Sequence, residues 1–195
     1  QISAFLAGGF GIAGGYNGAY LDSAELFDPQ PAALSFAATT GTMRSARRRH
    51  AATALPNGKV LLTGGEVDVN IGTLVTETYD PTVGTFTLGG TLLGKRTSHT
   101  ATLLPNGQVL ITGGVSPSSN DAFGQGEIYD PANSLTSGTN NMQFSRVFHT
   151  ATLLPTGNVV VVGGMPIVGL NVAHASAEWF DSANTGSFAV TSGMT

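Results

Sequence analysis

The chain has 195 residues, a net charge of −4 and only 10% charged residues, against roughly 25% in an average soluble domain. That balance gives no electrostatic case for a nucleic-acid partner, because the few Lys and Arg form no long basic stripe. The absence of cysteine excludes disulfides and thiolate chemistry, and no apolar run reaches the roughly 18 residues a membrane helix needs.

In chain order, QISAFLAGGFGIAGG from Gln1 predicts two short strands closing on Gly14-Gly15. A polar loop from Tyr16 to Ala24 follows, then a strand ending in Phe27-Asp28-Pro29 and a last strand near Phe36. A connection carrying Arg44, Arg47, Arg48 and Arg49 leads to His50, where HAATALPNGKVLLTGG starts the pattern again. In that segment Pro sets φ for the turn, Asn-Gly is expected to take positive φ, and VLLT reads as a buried strand before Gly64-Gly65. The loop Glu66 to Thr76, the strand ending at Tyr79-Asp80-Pro81 and a fourth strand over Thr85-Phe86-Thr87-Leu88 complete the second copy. The third copy runs from His99 (HTATLLPNGQVLITGG) through the loop Val115 to Gly126, then GEIY and Asp130-Pro131, to a weak fourth strand around Leu135. The fourth runs from His149 (HTATLLPTGNVVVVGG) through the loop Met165 to Ala177, to Trp179-Phe180-Asp181-Ser182 and a strand at Phe188.

The double glycines at 14, 64, 113 and 163 recur about every 50 residues. Each unit offers four short strands with tight turns and no helical period, which is the content of one propeller blade. A leucine-rich repeat is too short to fit, and the Gly, Pro and β-branched content excludes helical repeats. The expected architecture is therefore all-β: one propeller region, residues 1–195, with four-stranded antiparallel blades near 1–49, 50–98, 99–148 and 149–195. Four blades are few for a ring, so the array is expected to be part of a larger ring or to be completed by another chain, and its opening inside a repeat reads as a mature product or an excerpt.

The double glycine after an apolar strand, followed by Glu-x-Tyr-Asp-Pro, resembles the Kelch motif over nearly the whole chain. Tyr79-Asp80-Pro81 and Tyr129-Asp130-Pro131 are full forms, and Phe27-Asp28-Pro29 and Trp179-Phe180-Asp181-Ser182 are variants. The aromatic of the family's fourth strand is matched by Phe36, Phe86 and Phe188, with the third copy departing. The HTATLLPNG hairpin resembles the bacterial Kelch and galactose-oxidase-like branch. That resemblance implies a β-propeller, often secreted, and only sometimes an enzyme. Without cysteine, the Tyr–Cys cofactor of galactose oxidase cannot form here.

Residues that recur have first claim to structural roles. Arg47, Arg96 and Arg146 each stand three before a repeated His, and Glu25, Glu77, Glu127 and Glu178 share one repeated place. In so uncharged a chain this predicts Arg–Glu pairs that fix strands or blades in register. His50, His99 and His149 open equivalent strands, so they are spread around a ring as buried hydrogen-bonding groups and are not expected to converge on a metal. His174 reads as a lone, solvated loop histidine. Gly9-Phe10-Gly11-Ile12-Ala13-Gly14 matches G-x-G-x-x-G but falls on a strand, and Gly89 to Lys95 has Walker-like spacing with Arg96 where Ser or Thr belongs.

Function is expected where the copies differ, in the second-to-third loops and blade connections of one face. The candidate binding residues there are Tyr16, Asn17, Tyr20, Asp22, Glu66, Asp68, Asn70, Asn120, Asp121, Phe123, Asn171 and His174. The same loops hold apolar Ile71, Leu74, Ile167, Val168, Leu170 and Val172, which either pack back or meet a partner. The resulting expectation is a non-catalytic binding or scaffold module, extracellular or on a cell surface, recognising protein or glycan without a cofactor, metal or membrane insertion. The alternatives are a structural subunit assembling through blade edges, and a fragment of a galactose-oxidase-like carbohydrate-active enzyme whose catalytic residues lie elsewhere.

Overall fold

The structure, a computed structural model, describes residues 2–6, 9–28, 35–166, 172–183 and 186–191. Every regular element among them is a β-strand. Four antiparallel four-stranded sheets follow one another along the chain, each a meander. The first holds β1 (Ile2–Leu6), β2 (Gly9–Tyr16), β3 (Tyr20–Asp28) and β4 (Ser35–Ala38). The second holds β5 (Ala51–Ala54), β6 (Val60–Thr63), β9 (Val75–Asp80) and β10 (Thr85–Thr91), with a small hairpin, β7 (Glu66–Asp68) and β8 (Ile71–Gly72), inserted between β6 and β9. The third is β11 (Thr100–Leu103), β12 (Val109–Thr112), β13 (Gln125–Asp130) and β14 (Leu135–Asn141). The fourth is β15 (Thr150–Leu153), β16 (Val159–Val162), β17 (Ala177–Phe180) and β18 (Phe188–Val190). The first strands lie side by side in the series β1, β5, β11, β15. No helix among the described residues is long and apolar enough to cross a membrane.

The turn chemistry is local. In the Pro-Asn-Gly turns only the glycine takes positive φ, at Gly58 and Gly107, while the Asn57 and Asn106 side chains accept the amides of Lys59 and Gln108. In the Asp-Pro turns Asp80 and Asp130 accept the amides of Thr82 and Ala132, closing Asx turns. The fourth strand of the third sheet, expected to be weak around Leu135, is a regular strand paired with β13 from Leu135 to Asn141. Thr136 stands opposite Tyr129 there, where Phe36, Phe86 and Phe188 pair with Phe27, Tyr79 and Phe180 at centroid distances of 5.0, 4.8 and 5.0 Å. Backbone pairing and the Thr-rich exposed face were enough without the aromatic. The unpartnered Tyr129 ring instead sends its hydroxyl to the second sheet, accepting from Thr76 and from the Gly90 amide, each at 3.4 Å.

The apolar core is divided among the gaps between neighbouring sheets. Ala24 and Met43 pack with Val60, Leu62, Tyr79 and Phe86 between the first and second. Leu55, Leu61 and Leu92 pack with Val109, Ile111 and Tyr129 between the second and third. Leu104, Leu110 and Met142 pack with Val159, Val161 and Phe180 between the third and fourth. The outer face of the fourth sheet has no such cover among the described residues: Leu154 is 37% exposed, whereas its counterparts Leu55 and Leu104 are 6% and 3% exposed.

Candidate functional site

The repeated charges form a clasp at each sheet boundary. In the second sheet the Arg47 guanidinium donates to Glu77 Oε1 at 2.5 Å, to the Gly64 carbonyl at 2.9 Å and to the Val75 carbonyl at 3.1 Å. Glu77 also accepts the Arg44 and Ser45 amides, so one carboxylate fixes the whole incoming connection. Arg96 with Glu127, and Arg146 with Glu178, repeat the arrangement, with Gly113 and Gln125 or Gly163 and Ser176 as the carbonyls. All six side chains are essentially buried. Each arginine also ties back to the preceding sheet, its carbonyl accepting the amide of Gly15, Gly65 or Gly114. Glu25, expected to belong to this set, is exposed and has no arginine beside it among the described residues.

The histidines do not converge, and among the described residues no three His, Cys, Asp or Glu side chains approach as a metal site would require. Each instead faces the preceding sheet. His99 Nε2 meets Thr63 Oγ1 at 2.9 Å, and His149 Nε2 meets Thr112 and Thr100 at 3.1 and 3.0 Å. His50 is buried without a hydrogen bond among the described residues. Its place opposite the first sheet holds Ala13, where Thr63 and Thr112 stand in the other copies. Burial foremost, with the neighbouring arginine charge second, pushes His50 down to about 3 and His149 to about 4.

One group of the non-repeated candidates is brought together on the rim between the first and second sheets. Tyr16 and Tyr20 pair across the β2–β3 turn, rings edge to face with centroids 5.5 Å apart. The Arg48 guanidinium lies 4.7 Å from one ring centroid and 5.1 Å from the other, a double cation–π contact. Arg48 Nε donates to Glu66 Oε2 at 2.8 Å, and the two residues exchange backbone hydrogen bonds. Asn70, in left-handed conformation at the β7–β8 turn, donates its amide to the same carboxylate, and Arg49 stands 3.8 Å away. Burial would raise the Glu66 pKa, but the Arg48 hydrogen bond, the Asn70 amide and both arginine charges outweigh it and hold the carboxylate below its ordinary value. Desolvation and then the Glu66 charge hold the Tyr20 phenol above its ordinary value, and its hydroxyl is shielded without a hydrogen-bond partner among the described residues. The Tyr16 ring stays 55% exposed, and Asp68, Val69 and Ile71 stand exposed on the adjoining hairpin.

The remaining candidates sit elsewhere. Asn17 accepts the Ala19 amide inside its own turn, and Asp22 is exposed with its carbonyl taken by the Met43 amide. Asn120 and Asp121 lie on the loop of the third sheet, where Phe123 packs 4.3 Å over the Arg96 guanidinium and so shields the clasp. His174 is half-buried and not simply solvated: Nε2 lies 3.0 Å from the Ser145 carbonyl and its ring 5.4 Å from Phe144. Leu74 packs back on the second core, while Val172 is exposed. Asn171, Ile167, Val168 and Leu170 lie outside the described residues. Arg48 is the rim residue that repeat comparison passes over: it sits in a connection beside the clasp Arg47, and only the fold turns it toward the tyrosines. Both nucleotide-like patterns are accounted for by the sheets, since Gly9 to Gly14 lies on β2 and Arg96 is locked to Glu127.

Searches of family models and of curated proteins return no match to this chain. Solved structures do match. One is a fungal alcohol oxidase of the AA5 family in complex with copper, with a TM-score of 0.61 and 19% identity, over 99% of this chain and 53% of that one. Another is YjhT, with a TM-score of 0.80 and 13% identity, over 100% of this chain and 65% of that one. The chain thus spans less than two thirds of the length of these neighbours. At such identities the likeness concerns the fold alone: an all-β array of antiparallel four-stranded sheets of the Kelch and galactose-oxidase-like kind.

Proposed function

We propose that the chain is a non-catalytic binding or scaffold module of a secreted or cell-surface protein, which recognises protein or glycan through the variable rim. The observation that carries this reading is the Tyr16–Arg48–Tyr20 stack. A buried carboxylate, Glu66, holds the arginine, and the arginine holds two tyrosines so that one ring face remains open to solvent. A pre-set aromatic with polar neighbours suits either a sugar ring or a protein side chain, because little side-chain entropy is lost on binding. Screening the whole chain on a glycan array and against cell-surface protein ectodomains tests it. Tyr16→Ala should weaken the interaction found by tenfold or more while leaving the melting temperature within a few degrees; Arg48→Ala should weaken it as much and also lower the melting temperature, because it strips the buried Glu66 of its principal partner. Binding that survives both changes sinks the reading.

The likeness to an AA5 alcohol oxidase favours one second reading, a part of a carbohydrate-active enzyme whose catalytic groups lie beyond these residues. Activity appearing only when further chain is supplied, and indifferent to Tyr16→Ala, supports it over the first.

A further inference from the structure

Asn-Gly occurs at Asn17-Gly18, Asn57-Gly58 and Asn106-Gly107. In this dipeptide the next backbone nitrogen reaches the side-chain amide most easily, because glycine has no Cβ to block the approach. At all three places the Asn side-chain oxygen accepts a nearby amide, from Ala19 at 3.2 Å, Lys59 at 3.1 Å and Gln108 at 3.0 Å. That bond draws electron density from the side-chain carbonyl and makes its carbon, Cγ, the better electrophile. The attacking nitrogen is where the three differ. The Gly58 and Gly107 amides donate to the Leu55 and Leu104 carbonyls, each at 3.0 Å. The same leucines donate to the Lys59 and Gln108 carbonyls at 2.8 Å, which closes each turn a second time. The Gly18 amide has no hydrogen-bond partner among the described residues, and Asn17, Gly18 and Ala19 are all exposed.

We propose that Asn17 is a site of spontaneous covalent modification in the folded protein, converted to aspartate and isoaspartate, while the fold protects Asn57 and Asn106. The Gly18 nitrogen bonds to Asn17 Cγ, the Cγ–Nδ2 bond breaks, and ammonia leaves with the proton that the nitrogen carried. Water then opens the cyclic imide. Cleavage of the new N–Cγ bond gives aspartate; cleavage of the original peptide bond gives isoaspartate, with the chain running through Cβ. At Asn57 and Asn106 the same attack requires the glycine amide to abandon its leucine carbonyl, and with it a turn that leads straight into the buried strands at Val60 and Val109. The corresponding turn of the fourth sheet carries Thr156 and has no amide to lose. Either product puts a negative charge at the tip of the β2–β3 turn. Isoaspartate also adds one backbone atom between Tyr16 and Tyr20, which that turn holds opposite each other, so the modification reaches the rim stack. The proposal is independent of the rim's ligand.

The test incubates the whole folded chain at neutral pH and follows tryptic peptides by mass spectrometry. Cleavage after Arg44 leaves Asn17 as the sole asparagine of its peptide, cleavage after Arg49 and Lys59 does the same for Asn57, and fragmentation locates Asn106. We expect the mass gain of amide-to-acid conversion at Asn17 at least tenfold faster than at Asn57 or Asn106. In guanidinium chloride, where no turn survives, the three rates should converge. Asn17→Gln, which cannot close the same ring, should leave its peptide unchanged. A folded-state rate at Asn17 no greater than at the other two overturns the proposal. So does an unchanged ranking in the unfolded chain, which would place the difference in local sequence and not in the turn hydrogen bonds.

Discussion

At the scale of single residues, the histidines make stability depend on pH in a defined sense. Their folded pKa values lie below the ordinary 6.5, at about 3 for His50 and about 4 for His149. Between those values and 6.5 the unfolded chain binds more protons, so stability is full above pH 6.5 and falls as pH drops toward 4. Melting curves at pH 7 and pH 5 should show that loss, and His50→Leu should reduce it. His50 makes no hydrogen bond among the described residues, so His50→Leu at pH 7 should cost about 1 kcal/mol less than His99→Leu, which abandons the Thr63 hydroxyl. Ala13→Thr restores the hydroxyl that the first copy lacks and should stabilise by about 1 kcal/mol, measured by urea unfolding. No gain would mean the His50 ring is not turned toward that site.

At the scale of elements, each connection is held by one buried carboxylate. Glu127→Gln leaves Arg96 charged and buried and weakens the hold on two amides, so a loss of about 3–5 kcal/mol is expected. The equivalent change Glu25→Gln should cost nothing measurable. Equal losses in the two variants would refute the clasp as described. The double-glycine turns offer a sharper comparison. Gly113 and Gly163 have φ of +57° and +68°, so alanine is strained at both by about 1–2 kcal/mol. At Gly113 the new Cβ also collides with the Arg146 carbonyl and the His149 ring, while at Gly163 it meets nothing among the described residues. Gly113→Ala should therefore be much the more damaging, as read from the two melting temperatures.

At the scale of the whole molecule, three apolar cores join four sheets in a row, and the outer face of the fourth remains uncovered among the described residues. The Leu154 face lies on the fourth sheet. Exposed apolar side chains there, Leu153, Leu154 and Val190, should favour association, because apolar surface gains by burial. Light scattering over a concentration range should give a mass above the 19.9 kDa of one chain. A constant 19.9 kDa at every concentration would mean that the four sheets satisfy their own outer faces.

The sequence by itself determined the four-fold repetition, the strand and turn chemistry, and which charged and histidine residues recur, because period, Gly-Gly and Asp-Pro turns are local signals. It overstated the equivalence of the copies. Glu25 recurs in the same place yet has no arginine beside it among the described residues, and Leu135 begins a sound strand without its aromatic, since backbone pairing with β13 holds it. Only the tertiary structure decided that Tyr16, Tyr20 and Glu66 meet around Arg48 while Phe123 shields a clasp and His174 folds back on Ser145. Those contacts join residues on different sheets and connections, whose distance in space is set by how one sheet stacks on the next, and no period in the sequence encodes it.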